Sequence, residues 1–282
     1  MIQTITELAS LRERVRGWKQ AGLRVGFVPT MGNLHAGHQS LVRLAREHAD
    51  RVVASVFVNP TQFGPGEDYE RYPRTVDADV SALEEAGADA MWLPSVETMY
   101  PYGMNGVVEI RVPGVTGVLE GAHRPGHFDG VTTVVARLFN QVQADVAVFG
   151  RKDYQQLAVI RYMVRDLAFA VELVAAPIVR EADGLAMSSR NQYLSPTERQ
   201  TATAIHRALQ ASREAAGAGM PLRTVEHDAA AQLTAAGFAV DYVAIRHPDL
   251  SAADSDAAGP LVALAAARLG STRLIDNIEF DH

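Results

Sequence analysis

The sequence predicts an α/β protein, a parallel sheet with helices on both faces followed by a smaller α+β C-terminal domain. Three observations predict it. Across the first two thirds of the 282 residues, short β-branched runs alternate with stretches of helical period. Clusters of unusual polar residues sit just beyond those runs, where open parallel sheets bind their ligands. After about residue 177 the order changes to two helical stretches and then three strand-like runs, the grouping of an α+β unit.

Each element follows from its own pattern. Residues 23–28 (LRVGFV) read as a buried strand and 38–49 as a helix; 51–58 (RVVASVFV) as a second strand and 75–86 as a second amphipathic helix. A short strand at 90–93, a helix across 129–143, a strand at 146–149, a helix across 154–169 and a strand at 171–175 continue the rhythm, and 177–180 is strand-like. This is a Rossmann-like arrangement, assigned to a domain spanning 1–180. Residues 181–282 form the second domain, with helices at 196–216 and 221–236 and strands at 238–246, 261–267 and 272–280. Residues 251–260 (SAADSDAAGP) read as a mobile polar loop.

Composition narrows the functions. The net charge of -7 argues against a broad electropositive surface, and so against nucleic-acid binding, while leaving room for a locally basic pocket. No cysteine is present, which removes thiolate nucleophiles, disulfides and cysteine-ligated zinc. The first thirty residues carry charges throughout, so no signal peptide is read, and no run approaches the roughly 20 apolar residues of a membrane span. A cytoplasmic protein with no membrane partner is expected.

Three segments carry chemistry. The first strand runs into Met31, Gly32, Asn33, Leu34, His35, Ala36, Gly37 and His38, and a helix follows. This is neither a dinucleotide loop nor a P-loop. Histidines three apart share one face of a first helical turn. Gly37 leaves space for a ligand against the backbone, and the helix N-terminus favours a polyphosphate. Metal binding by these histidines is the weaker reading, since no third ligand lies nearby. The second segment, Gly150-Arg151-Lys152-Asp153, opens a helix directly after a strand; a cation there opposes the helix dipole unless an anion joins it. In the third, Met187-Ser188-Ser189-Arg190, two hydroxyls beside a guanidinium form a donor set for phosphate oxygens. Asn59 and Gln62, past the second strand, are amides able to bond hydroxyls and carboxylates.

The HxGH turn paired with Ser-Ser-Arg resembles the HIGH and KMSKS elements of the class I aminoacyl-tRNA synthetase and nucleotidyltransferase superfamily, which works on the α-phosphate of ATP. A narrower resemblance rests on PTMGNLHAGH (29–38), SVFVNPTQF (55–63), DYERYPRT (68–75), EGAHRPGHFDGV (120–131), VFGRKDYQQL (148–157), MSSRNQYLS (187–195) and RLGSTRLIDNIEF (268–280). In that order and spread over nearly the whole chain, these blocks resemble the pantoate–β-alanine ligase (pantothenate synthetase) family.

The resemblance implies an AMP-forming ligase. Pantoate's carboxylate would attack the α-phosphate of Mg-ATP to give pantoyl-adenylate and pyrophosphate, and the amine of β-alanine would then take the pantoyl group. By resemblance, His35 and His38 sit over the phosphates, with His38 in an acid role. Lys152, Ser188, Ser189 and Arg190 hold the phosphates. Backbone around Met31, Gly150, Val179 and Met187 frames the adenosine, with Gly32, Asn33, Leu34, Ala36, Gly37, Arg151 and Asp153 completing the ATP-binding segments. Gln62 and Gln156 bond pantoate, beside Asn59. Asp79 is the candidate for Mg2+ or its waters, although Ala78 stands where the family often has another acid. Residues 120–129 are the expected cover over a water-sensitive intermediate, and the histidines at 123 and 127 are read as loop residues. A homodimer is implied in the same way.

Three rival classes differ in observable ways. A nucleotide-transferring relative would keep the nucleotide in its product, and a non-catalytic scaffold would lack the imidazole, lysine or Ser-Ser-Arg groups present here. An RNA-binding relative would carry an appended basic domain, whereas the arginines after residue 195 are dispersed among acids.

Overall fold

The computed structural model describes residues 2–254 and 259–282, Asn105 by its backbone alone. Most of the mobile-loop expectation for 251–260 therefore lies outside the described residues. Six parallel strands form the main sheet: β1 (Gln3–Ile5), β2 (Val25–Thr30), β3 (Arg51–Val56), β4 (Ala90–Trp92), β5 (Val146–Gly150) and β6 (Glu172–Ala176), in the order β1-β4-β3-β2-β5-β6. Every pairing is parallel.

The central strands are apolar on both sides because helices cover both faces. Phe27 points into one core with Val53, Trp92, Phe139 and Phe149, beneath helices Leu8–Gln20, His127–Val142 and Tyr154–Asp166. Its neighbour Val28 points into the other, with Val42, Ala45, Val52 and Leu83 from helices Ala36–His48 and Val76–Ala86. Trp92 is fully buried, and its indole N–H donates to Gln141 Oε1 at 3.0 Å, so the ring adds area without an unpaired polar atom.

Strand β1 and helix Leu8–Gln20 were not read from the sequence. The strand is three residues long, and the helix buries only Leu11 and Val15 along its charged length. The helix expected across 196–216 is two, Pro196–Thr201 and Ala204–Gly217, and 177–180 contributes one isolated bridge, Arg180 to Ala186.

The second sheet is antiparallel: β7 (Ala239–Arg246), β8 (Pro260–Leu269) and β9 (Thr272–Asp281). Helices Ala204–Gly217 and Leu222–Ala235 pack Leu209 and Leu233 against Ala263, Ala265 and Ala267 on one face. The opposite face, through Val262 and Leu264, packs against Leu119 and Tyr154 of the N-terminal part. A continuous apolar run in β8 thus serves two cores. No described helix is long and apolar enough to cross a membrane.

Candidate active site

The sheet reverses its strand order at β2, which pairs with β3 on one side and β5 on the other. The crevice beyond the carboxyl ends of β2 and β5 is the topological switch point where such sheets bind ligands. The HxGH turn leaves β2 there, and Lys152 leaves β5. Segment 187–190 closes the third side, tied by the Met187 N–H donating to the Val179 carbonyl at 3.0 Å.

His35 caps helix Ala36–His48. Its Nδ1 accepts the Gly37 N–H at 3.1 Å, while the His35 N–H donates to His38 Nδ1 at 3.4 Å, a reciprocal capping box built from two imidazoles. Both Nδ1 atoms are acceptors, so both rings carry their proton on Nε2. The ring centroids lie 4.1 Å apart. Burial, then the Lys152 charge, lowers the His35 pKa to about 4; burial, then His35 itself, lowers that of His38 to about 3. At neutral pH the pair therefore offers Nε2–H hydrogen bonds toward the crevice. A Cβ on Gly37 would lie 2.8 Å from His35 Cε1. The glycine makes room for the neighbouring imidazole, where a ligand had been expected to use that space.

Asp79, the candidate for Mg2+ or its waters, makes protein contacts through both carboxylate oxygens. It is 1% exposed, with Oδ2 accepting from the Asn33 N–H at 3.1 Å and Oδ1 from the Leu34 N–H at 2.8 Å. Its carboxylate anchors the HxGH turn from below. Gly32, Asn33 and Leu34 accordingly form the foundation of the turn, and Ala36 is exposed on its outer side.

A cavity of about 220 Å3 lies in the crevice. Met31, His35, Gly37 and His38 form one wall; Gly150, Lys152 and Asp153 another; and Val179 with Met187 through Arg190 a third. Gln62 and Gln156 face it from the remaining side. Lys152, Asp153, Gln156, Ser188 and Arg190 also line a second, adjoining cavity of about 480 Å3 that extends to the antiparallel sheet. Arg151 turns away and pairs with Glu279 at 2.5 Å, so it is absent from both walls.

Asn59 was expected to bind substrate, and its amide is already spent on protein partners. At 1% exposure it donates to Gln62 Oε1 at 3.1 Å and to the Gly130 carbonyl at 3.2 Å, and accepts the Tyr100 hydroxyl at 2.6 Å. It holds Gln62. The Gln62 backbone is fixed as well: His127 Nδ1 lies 2.8 Å from its carbonyl and must carry the proton, leaving Nε2 to accept from Arg124 at 3.1 Å. Burial, then the Arg124 charge, holds the His127 pKa at about 4.

Several partners in the site had been assigned no role from the sequence, although most lie within the family-like blocks. Arg190 forms a two-pronged pair with Asp68 at 2.9 and 3.1 Å, and Ser189 Oγ meets the Tyr72 hydroxyl at 3.5 Å. Burial pushes the Asp68 carboxyl up, and the Arg190 hydrogen bond and charge outweigh it, leaving Asp68 below its usual range. Glu67 pairs with Arg124 at 2.6 Å, Arg124 reaches Glu120 at 3.4 Å, and Glu120 takes Arg273 of β9 at 2.6 Å. The expected cover at 120–129 is thus a short helical turn, Glu120–His123, and the start of helix His127–Val142, bound by ion pairs to both sheets' surroundings. The His123 and Tyr242 rings lie 5.8 Å apart at a tilt of 38°.

Residues 3–279 match the family model described as pantoate-beta-alanine ligase. The chain belongs to that family. It is 65% identical over 284 residues to a pantothenate synthetase of Xanthomonas campestris pv. campestris, covering 99% of this chain and 100% of that protein. Among solved structures, the ligase family is represented by the pantothenate synthetase of Thermus thermophilus, similar at 51% identity and a TM-score of 0.90 over 98% of this chain and 99% of that one. A pantoate-beta-alanine ligase from Francisella tularensis, complexed with beta-gamma ATP and beta-alanine, aligns at 30% identity and a TM-score of 0.82 over 99% and 97% of the two chains.

Proposed function

We propose that this chain joins pantoate to β-alanine with ATP, in two steps through an enzyme-bound pantoyl-adenylate. One observation carries the reading: two Nε2–H imidazoles, Lys152 and the Ser188–Arg190 donors share a cavity with two substrate-facing amides at a sheet switch point. The Francisella relative, whose complex holds an ATP species and β-alanine together, supports the same substrates.

In the first step an oxygen of pantoate's carboxylate forms a bond to the α-phosphorus while the bond to the pyrophosphate oxygen breaks. A carboxylate is ionised at neutral pH, so no base is required. The demands are alignment and charge neutralisation. Lys152 supplies the cation, and Ser188, Ser189, His35 and His38 supply hydrogen bonds. Arg190 joins them on exchanging Asp68 for phosphate. Backbone at Met31, Gly150, Val179 and Met187 frames the adenosine, and pantoate's polar groups are bonded by Gln156 and by Gln62, whose amide Asn59 and Met31 Sδ hold in place at 3.1 Å each. In the second step the unprotonated amine of β-alanine forms a C–N bond at the acyl carbon, the acyl C–O bond to AMP breaks, and the nitrogen gives up one proton to solvent.

Magnesium enters as Mg-ATP. Among the described residues no cluster of three or more His, Cys, Asp or Glu side chains is placed to hold a metal, and the Asp79 oxygens serve the turn; an ion that keeps its waters and leans on phosphates fits such a site. We place the domain boundary at 180/181 and the enzyme in the cytoplasm as a homodimer. Exposed Tyr102, Met104 and Val108 on one stretch support an apolar contact between copies. Light scattering on the purified chain tests the dimer.

The adenylate has its own test. With ATP, pantoate and labelled pyrophosphate but no β-alanine, label must enter ATP, because the first step is reversible on the enzyme. Exchange that requires β-alanine would overturn the two-step reading.

A further inference from the structure

The C-terminal block RLGSTRLIDNIEF contributes no residue to the 220 Å3 cavity, yet one of its side chains grips the cavity wall. Asn277 lies on β9 at 2% exposure. Its amide nitrogen donates two hydrogen bonds of 2.9 Å, one to the carbonyl of Arg151 and one to that of Lys152. Both acceptors belong to the 3-10 turn Arg151–Asp153, which aims Lys152 into the crevice. That turn is otherwise lightly held: its side chains pair as Arg151 with Glu279, on the same strand β9, and Lys152 with Asp153 at 3.8 Å.

Asn277 is itself fixed from behind. Its N–H donates to Asp276 Oδ1 at 2.8 Å, and its carbonyl accepts from Arg180 at 3.1 Å. Arg180 forks onto both oxygens of the fully buried Asp276 side chain at 2.7 and 2.9 Å, a bidentate geometry that fixes direction as well as distance. Arg180 also bridges to Ala186, one residue before the Met187–Arg190 segment. Through Arg180, Asp276 and Asn277, strand β9 therefore holds both cation-bearing walls of the site in one register.

We propose that Asn277 is a positioning residue for the adenylation step, setting the Lys152 turn through its paired hydrogen bonds to the Arg151 and Lys152 carbonyls. This rests on the phosphate-binding role of Lys152. Asparagine suits the task because a primary amide presents two hydrogens about one nitrogen, matching two successive carbonyls. Aspartate has the same shape and no donor when ionised; alanine removes the donors altogether and leaves two carbonyls without their partner.

The test is a double-mutant cycle read on pantoate-dependent ATP–pyrophosphate exchange, with Asn277→Ala and Asn277→Asp each made alone and with Lys152→Ala. Alone, each Asn277 variant lowers the exchange kcat at least tenfold while the apparent KM for pantoate changes less than twofold. In the Lys152→Ala background, adding either Asn277 change lowers kcat less than twofold further, because the group it positions is gone. Equal losses in both backgrounds, or a normal kcat in folded single variants, overturn the proposal. Near-normal exchange by Lys152→Ala would instead overturn the role of Lys152, so the two failures are distinguishable. Should Asn277→Ala not fold, Asn277→Ser, which keeps one donor in a smaller side chain, takes its place in the same comparison.

Discussion

Replacing Gly130 by alanine places a methyl carbon 2.4 Å from the Thr61 carbonyl oxygen and 2.7 Å from Gln62 Cα, against an ordinary contact of 3.4 Å or more. Both obstacles are backbone, so neither yields by a side-chain rotation. Helix His127–Val142 and the turn Pro60–Gln62 must separate by about 1 Å at that point. The same peptide carries the Gly130 carbonyl that accepts from Asn59, and Asn59 in turn holds Gln62. The perturbation therefore has two readouts. Overpacking of this kind costs about 1–3 kcal/mol of stability, measured as a fall in the urea midpoint at unchanged m-value. A displacement of about 1 Å in a substrate-positioning group costs about 10²-fold in rate, so kcat/KM for pantoate falls by roughly that factor, about 2.7 kcal/mol. The KM for β-alanine, which lies outside the role proposed for Gln62, stays within twofold. A Gly130→Ala chain with wild-type stability and wild-type kcat/KM for pantoate would refute the Gly130–Asn59–Gln62 relay.

Two further outcomes follow from the buried groups. Asp79→Ala leaves the Asn33 and Leu34 N–H groups without their charged acceptor, so urea unfolding should show a loss of about 3 kcal/mol; the magnesium concentration for half-maximal rate stays unchanged, and a raised magnesium requirement in a fully stable variant would contradict the anchoring role. The imidazoles of His35, His38 and His127 have folded pKa values near 4, 3 and 4 against 6.5. The unfolded chain thus binds more protons between about pH 4 and 6.5, and stability falls as pH is lowered through that window. Thermal midpoints from pH 7 to 4.5 check the sign, and the slope must be shallower for His127→Gln; an unaltered slope counts against a neutral buried His127.

The alternation of strand and helix was legible because the parallel strands are buried on both faces and so read as apolar runs. β1 and the first helix were not, since a three-residue edge strand and a helix with two buried residues leave little pattern to detect. Within the site, chemistry was legible where it is carried by a local block: the HxGH turn, Lys152 and the Ser-Ser-Arg segment do converge on one cavity. Direction within a block was not. Asn59 and Asp79 have the residue types of ligand binders, but burial turns each toward protein partners, side chains as well as backbone for Asn59 and backbone N–H groups for Asp79, and spacing holds no trace of that. Pairings such as Arg190 with Asp68, 122 positions apart, and Asn277 with Lys152, 125 apart, exist only once the sheets are assembled. They decide how the site is held, and a single sequence cannot show them.

The walls of the β2–β5 crevice are assigned the activation of pantoate on ATP for transfer to β-alanine. That assignment is tested most directly by incubating the purified chain with ATP, pantoate and β-alanine and counting products. AMP, pyrophosphate and pantothenate are expected in equal amounts, with AMP release dependent on both acid and amine. ADP and inorganic phosphate as products, or AMP formation indifferent to β-alanine, would contradict it.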